Sequence, residues 1–112
     1  MLVTFELAGQ QFHALNGGPQ YKFNEAMSLF VECETQAELD EVWSKLTDGG
    51  KEGPCGWLTD RFGVSWQVAP TRLMELIASD DRKIASAAMS AMFKMKKIIL
   101  ADIERAVGGD AH

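Results

Sequence analysis

The stretch Cys55-Gly56-Trp57-Leu58-Thr59-Asp60-Arg61-Phe62-Gly63-Val64-Ser65-Trp66-Gln67-Val68 decides how this chain is read. It spells a strand, a tight turn over Asp60 to Gly63, and a second strand carrying Trp66 and Gln67. Alternation along the second strand puts Ser65 and Gln67 on one face, with Val64, Trp66 and Val68 on the other. Trp66 is therefore expected against a helix in the core. Trp57 suits either core or pocket, because aromatic side chains serve both.

Working outward, Met27 to Glu34 reads as a strand with two unlike faces. Leu29, Val31 and Cys33 are apolar, whereas Ser28, Phe30 and Glu32 are mixed. A helix covering one side and a solvated cavity on the other would produce that split. Thr35 to Leu46 is the clearest helix, opened by the capping box Thr35-x-x-Glu38 and closed by Gly49-Gly50. Leu39, Val42, Trp43 and Leu46 recur on one face. The order from Met27 is thus strand, helix, strand, strand, with room for a further strand near Lys51.

At the start of the chain, Met1 to Leu7 and Gln11 to Asn16 form two strands around an Ala8-Gly9-Gln10 turn, and Gly17-Gly18-Pro19 ends the hairpin. After Pro70 the pattern turns helical. It comprises a short apolar segment over Leu73 to Ile77, an amphipathic helix over Asp80 to Met95, and a last helix over Ala101 to Val107. The methionines Met89, Met92 and Met95 read as core or dimer packing rather than a cofactor box. Lys94, Lys96 and Lys97 would complement the dipole at the end of the middle helix.

Bulk properties narrow the function. A chain of 112 residues is a single domain, and a net charge of −5 disfavours nucleic acid or an anionic membrane as partner. No apolar run reaches the roughly 20 residues that span a bilayer, and no signal peptide opens the chain, so a cytoplasmic location is expected. Two cysteines without finger spacing point to free thiols, with Cys33 buried.

Chemical motifs are sparse. A nucleotide-cradling glycine loop, a His-rich cluster, a Cys–His pair and a nucleophile elbow are all missing from the sequence. Glu32 and Glu34 point to opposite faces of one strand, the wrong geometry for a two-carboxylate acid–base pair.

Three runs carry a resemblance: Phe23-Asn24-Glu25-Ala26, then Phe30-Val31-Glu32-Cys33-Glu34-Thr35-Gln36, then Gly56-Trp57-Leu58-x-Asp60-Arg61-Phe62-Gly63-Val64-Ser65-Trp66-Gln67-Val68. Together with Phe12-x-Ala14-Leu15-Asn16-Gly17-Gly18-Pro19 and Met95-Lys96-Lys97-Ile98, they resemble the PhnB-like branch of the vicinal-oxygen-chelate (glyoxalase/bleomycin-resistance) superfamily. Members of this branch often carry the label 3-demethylubiquinone-9 3-methyltransferase. The resemblance implies an α+β fold of paired βαβββ modules, each curled round a cavity and usually assembled as dimers. On that plan residues 1–19 supply late strands of a first, truncated module, 26–69 a second complete module, and 70–112 a C-terminal helical extension of one glyoxalase-like domain. The first module is completed upstream of Met1 or by a partner chain, and an uncovered sheet edge favours a homodimer.

In metal-using members the ligands sit on the first and last strands of each module. By position these fall near Ser28 and on Gln67, with a first-module ligand around Asn16. Neither Ser28 nor Gln67 is the usual His or Glu, so a divalent metal is disfavoured. S-adenosylmethionine enzymes of the common type need a Gly-rich strand-to-helix turn that this sequence lacks, which argues against methyl transfer. The expectation is a small-molecule-binding protein with a pocket lined by Asn16, Ser28, Phe30, Glu32, Trp57, Ser65 and Gln67, acting without a cofactor. A metal-dependent isomerase, lyase or oxygenase and a purely dimerising domain are the competing readings, and whether the protein is an enzyme stays open.

Overall fold

A computed structural model describes residues 2–7, 9–15 and 23–110. Strands β1 (Leu2–Leu7) and β2 (Gln10–Leu15) form an antiparallel hairpin that turns at Gly9, whose φ of +81° favours glycine. Phe5 lies opposite Phe12, and their rings stack with centroids 5.6 Å apart. On that side Val3, Phe5 and Leu7 remain between 45% and 48% exposed, so the apolar stripe of the hairpin lies open. Among the described residues the hairpin's extensive contacts are between its own two strands.

The main sheet is built from β3 (Leu29–Cys33), β4 (Lys51–Glu52), β5 (Trp57–Thr59) and β6 (Ser65–Pro70), with helix α1 (Gln36–Thr47) between β3 and β4. Its order is β3-β6-β5-β4: β3 runs parallel to β6, and the remaining pairs are antiparallel. This is the βαβββ arrangement expected, with the extra strand at Lys51 realised.

Helix α1 begins where Thr35 Oγ1 accepts from the Glu38 backbone N–H at 3.1 Å. Its Leu39 and Trp43 are buried, and together with Val42 and Leu46 they cover the face carrying Val31, Cys33, Leu58 and Val68. Burial of such large side chains contributes roughly 1.5–3 kcal/mol each. The polar edge of Trp43 is satisfied as well, its Nε1 donating to Glu52 Oε1 at 2.9 Å. Burial, and then the nearby Glu38 carboxylate, push the Cys33 thiol above its ordinary range.

Two turns set the geometry of β5 and β6. Asp60 organises the turn between them: its Oδ1 accepts from the backbone N–H groups of Phe62 and Val64, and its Oδ2 from Trp66 Nε1 at 2.9 Å. Trp66 thus lies partly buried on the helix side, as its place in the strand predicts. The turn between β4 and β5 passes through Cys55 and Gly56, both with positive φ (58° and 84°), and closes with Trp57 N–H on Pro54 O. A Cβ on Gly56 would lie 2.8 Å from Val68 O, so only glycine fits there.

Three helices follow: α2 (Thr71–Ile77), α3 (Arg82–Met92) and α4 (Leu100–Asp110). Leu73, Leu76, Ala88, Ile98, Ile103 and Val107 are buried and continue the core of the sheet. Asp81 caps α3 by accepting from Lys83 N–H. Helix α3 ends at Met92, one turn earlier than the periodicity predicts. The chain then tightens through Met95 N–H to Met92 O, which delivers the Met95 and Lys96 carbonyls to the Cys55 and Gly56 N–H groups at 2.8 Å. The three lysines accordingly lie beyond the helix. Lys97 pairs with Asp40 at 2.9 Å instead of serving the α3 dipole. Met92 and Met95 pack on the core, and Met89 stays 37% exposed.

Candidate functional site

The face of the sheet opposite α1 follows from the register. Gln67 on the central strand β6 lies beside Phe30 of β3 and Trp57 of β5, so the three side chains form one lateral row. Trp57, open between core and pocket from sequence, thus belongs to the Gln67 side of the sheet and is half-buried. Phe30 is 46% exposed. One rung earlier, Ser65 pairs with Thr59, and continuing the β3 register by one residue places Ser28 beside Ser65.

Gln67 Nε2 donates to Ser28 Oγ at 2.9 Å, joining the two positions at which metal-using relatives would be expected to hold ligands. Ser65 is buried at 4% exposure, the one buried polar residue among those described. Glu32 shares the Phe30 face but aligns with Ala69, at the far end of β6 from Ser65, and is exposed. Asn16 lies outside the described residues. Ser28, Phe30, Trp57, Ser65 and Gln67 therefore come together, and Glu32 stands at the margin.

A pocket of about 190 Å³ opens beside Ser28 and Ser65, at the end of the sheet where the parallel strands β3 and β6 begin. Its walls are Phe23, Asn24, Met27, Leu29 and Val64, none of which the sequence reading assigned to the site. Phe23, Asn24 and Met27 belong to the segment before β3, where Asn24 Oδ1 accepts from Ala26 N–H at 2.8 Å and shapes the approach to the strand. Gly63 adjoins the Phe23 ring, which an added Cβ would meet at an ordinary contact distance of 3.6 Å, and it is the φ of +89° that favours glycine there.

The donor set is poor for a divalent cation. Gln67 turns an N–H toward Ser28, and a hydroxyl and a neutral amide bring no charge. Among the described residues no three His, Cys, Asp or Glu side chains cluster closely enough to hold a metal ion. A wider groove runs over α3 beside Met89, Phe93 and Lys94, away from every one of the predicted site residues. No described helix is long and apolar enough to cross a membrane.

A family profile described as 3-demethylubiquinone-9 3-methyltransferase matches residues 1–69, which hold both β1–β2 and nearly all of the main sheet. The chain belongs to this family. Among solved structures it is similar to a PhnB protein from Bacillus cereus, described as a candidate 3-demethylubiquinone-9 3-methyltransferase, with 36% identity and a TM-score of 0.57. That match covers 63% of this chain and 64% of the Bacillus protein, so the chain spans less than two thirds of that relative's length. No curated protein matches. The PhnB-like, glyoxalase-superfamily assignment thus rests on the family profile and on a structural relative, and the sheet order agrees with it.

Proposed function

We propose that this PhnB-like protein binds a small molecule on the open face of its four-stranded sheet, without a catalytic metal, and does so as a homodimer. The observation that carries the reading is the hydrogen bond from Gln67 to Ser28. It ties the central strand to the start of β3 with neutral groups, where metal chemistry would call for carboxylates or imidazoles. Beside it, Phe30 and Trp57 offer apolar surface of the kind that lines ligand sites.

The family's name implies methyl transfer, but the residues here argue for something else. The β3-to-α1 connection, Glu34-Thr35, has no glycine and caps the helix with a hydroxyl. The described sheet is not doubly wound, which disfavours a dinucleotide-type or S-adenosylmethionine cradle on it.

Dimer formation is favoured by the hairpin. A two-stranded ribbon is marginally stable alone, and Val3, Phe5 and Leu7 expose a continuous apolar face. A second copy of the chain would cover it.

The test is a thermal-shift screen of metal-free protein against a metabolite library, with metal content measured in parallel. A compound that raises the melting temperature in proportion to the logarithm of its concentration is the expected result. Stoichiometric Mn, Fe, Zn or Ni that Gln67→Ala abolishes would replace this reading with a metal-dependent enzyme.

A further inference from the structure

The pocket beside Ser28 and Ser65 has a definite chemical character. Ser28 Oγ already accepts the Gln67 amide N–H, which leaves its own O–H proton to donate elsewhere. Ser65 is buried, yet among the described residues its side chain has no hydrogen-bond partner. Every fully buried polar side-chain atom there does have one, so the Ser65 hydroxyl reaches the open space of the pocket. Two neighbouring O–H groups can therefore converge on one acceptor oxygen. Among the described residues, Phe23, Met27, Leu29 and Val64 supply apolar walls and no Lys, Arg or His lines the pocket. Phe23 and Met27 are 68% and 76% exposed, so the pocket is open on their side, and a carboxylate or phosphate would find no countercharge among the described lining residues.

We infer that this pocket takes a neutral carbonyl compound, its oxygen held by Ser28 and Ser65 and its apolar body against Phe23, Met27 and Val64. The inference rests on the small-molecule reading above and adds the ligand class. A volume of about 190 Å³ sets the size. It exceeds the roughly 150 Å³ of an apolar cavity that accommodates benzene and falls below the roughly 300–1,000 Å³ of drug-sized sites. A single-ring ketone, lactone or amide fits these bounds. Gln67 is the positioning residue, since its N–H fixes the direction in which the Ser28 hydroxyl points.

The experiment titrates the ¹⁵N-labelled full chain with cyclohexanone and, separately, with cyclohexanecarboxylate. Saturable shifts at the Ser28, Val64 and Ser65 amides with the ketone are expected. Ser28→Ala and Ser65→Ala should each weaken binding by about 3- to 10-fold, the range for loss of one hydrogen bond. Val64→Phe, with its fold checked by circular dichroism, should abolish it. Tighter binding of the carboxylate overturns the neutral-ligand class. Shifts centred on Phe30 and Trp57, with Ser65 unmoved, overturn the pocket while leaving the sheet-face reading intact. No saturable shift with the ketone overturns the inference by itself, whereas the broader reading fails only if the library screen finds no stabilising compound.

Discussion

Gln67 and Ser28, 39 positions apart in sequence, meet through a 2.9 Å hydrogen bond that bridges the parallel pair β3 and β6. Because both groups are partly buried, the bond should be measurable. Ser28→Ala and Gln67→Ala should each lower stability by about 0.5–1.5 kcal/mol, and the double mutant by less than the sum. Urea denaturation of the four proteins in the cycle checks this. Strict additivity would mean that the pair does not interact in solution.

Asp60 holds three donors at once, two backbone N–H groups and the Trp66 indole. Asp60→Ala strands Val64 N–H and Trp66 Nε1 in partly buried positions and should cost about 2–4 kcal/mol. Equilibrium unfolding gives the magnitude, and native-state tryptophan fluorescence should shift as the indole loses its partner. Asn should recover part of the loss, because its carbonyl oxygen can still accept.

Glycines at two sites should respond in opposite directions. Gly56→Ala brings a Cβ to 2.8 Å from Val68 O at a φ of +84° and should destabilise by more than about 2 kcal/mol. Gly108, inside α4 with nothing within 4 Å of an added Cβ, should gain up to about 1 kcal/mol as alanine. Melting temperatures of the two variants make the comparison.

Asp40 is held below its ordinary value of 3.8, first by the hydrogen bond from Gln36 and then by Lys97. A carboxylate with a depressed folded-state value adds stability that is fully present above its unfolded value and lost as pH falls through the folded one. The Asp40 contribution therefore persists at neutral pH and fades below about pH 4, the ordinary carboxylate range. An NMR titration should find its midpoint below that of exposed aspartates, and Asp40→Asn should flatten the acid limb of the stability profile. A midpoint at or above 3.8 would contradict the pairing.

The hairpin offers a direct test of assembly. Phe5→Asp places a charge in the stacked Phe5–Phe12 pair and on the open apolar face. Sedimentation should show a dimer for the parent chain and a shift toward monomer for the variant, with circular dichroism confirming that the main sheet persists. A folded parent monomer at micromolar concentration would dismiss the dimer.

Much of this fold could be read from local chemistry. Thr35 announced the start of α1 because a hydroxyl N-cap needs only the next three residues, and alternation in Ser65-Trp66-Gln67-Val68 assigned both faces of β6. For the candidate site, positional carry-over named Ser28 and Gln67, and a hydrogen bond joins these two side chains. What stayed hidden depended on long-range backbone pairing. The early end of α3 and the fate of Lys97 follow from carbonyls recruited to Cys55 and Gly56, far earlier in the chain, which no periodicity encodes. The pocket wall at Phe23 escaped notice for a related reason, since irregular segments carry no alternation to betray which way they face, while alternation had placed Val64 on the helix side.

The corner at Cys55-Gly56 has one more consequence. Its N–H groups are satisfied by Met95 and Lys96, while Gln36 accepts Leu100 N–H and donates to Ile98 O. The segment between α3 and α4 is thereby stitched both to the sheet edge and to the helix behind it. Energy supplied by an occupant of the sheet can then spread into α4, a distant element that touches no part of the pocket. Slowed hydrogen exchange at Ile103 and Val107 would serve as a remote gauge of occupancy, readable even while the bound compound is still unidentified.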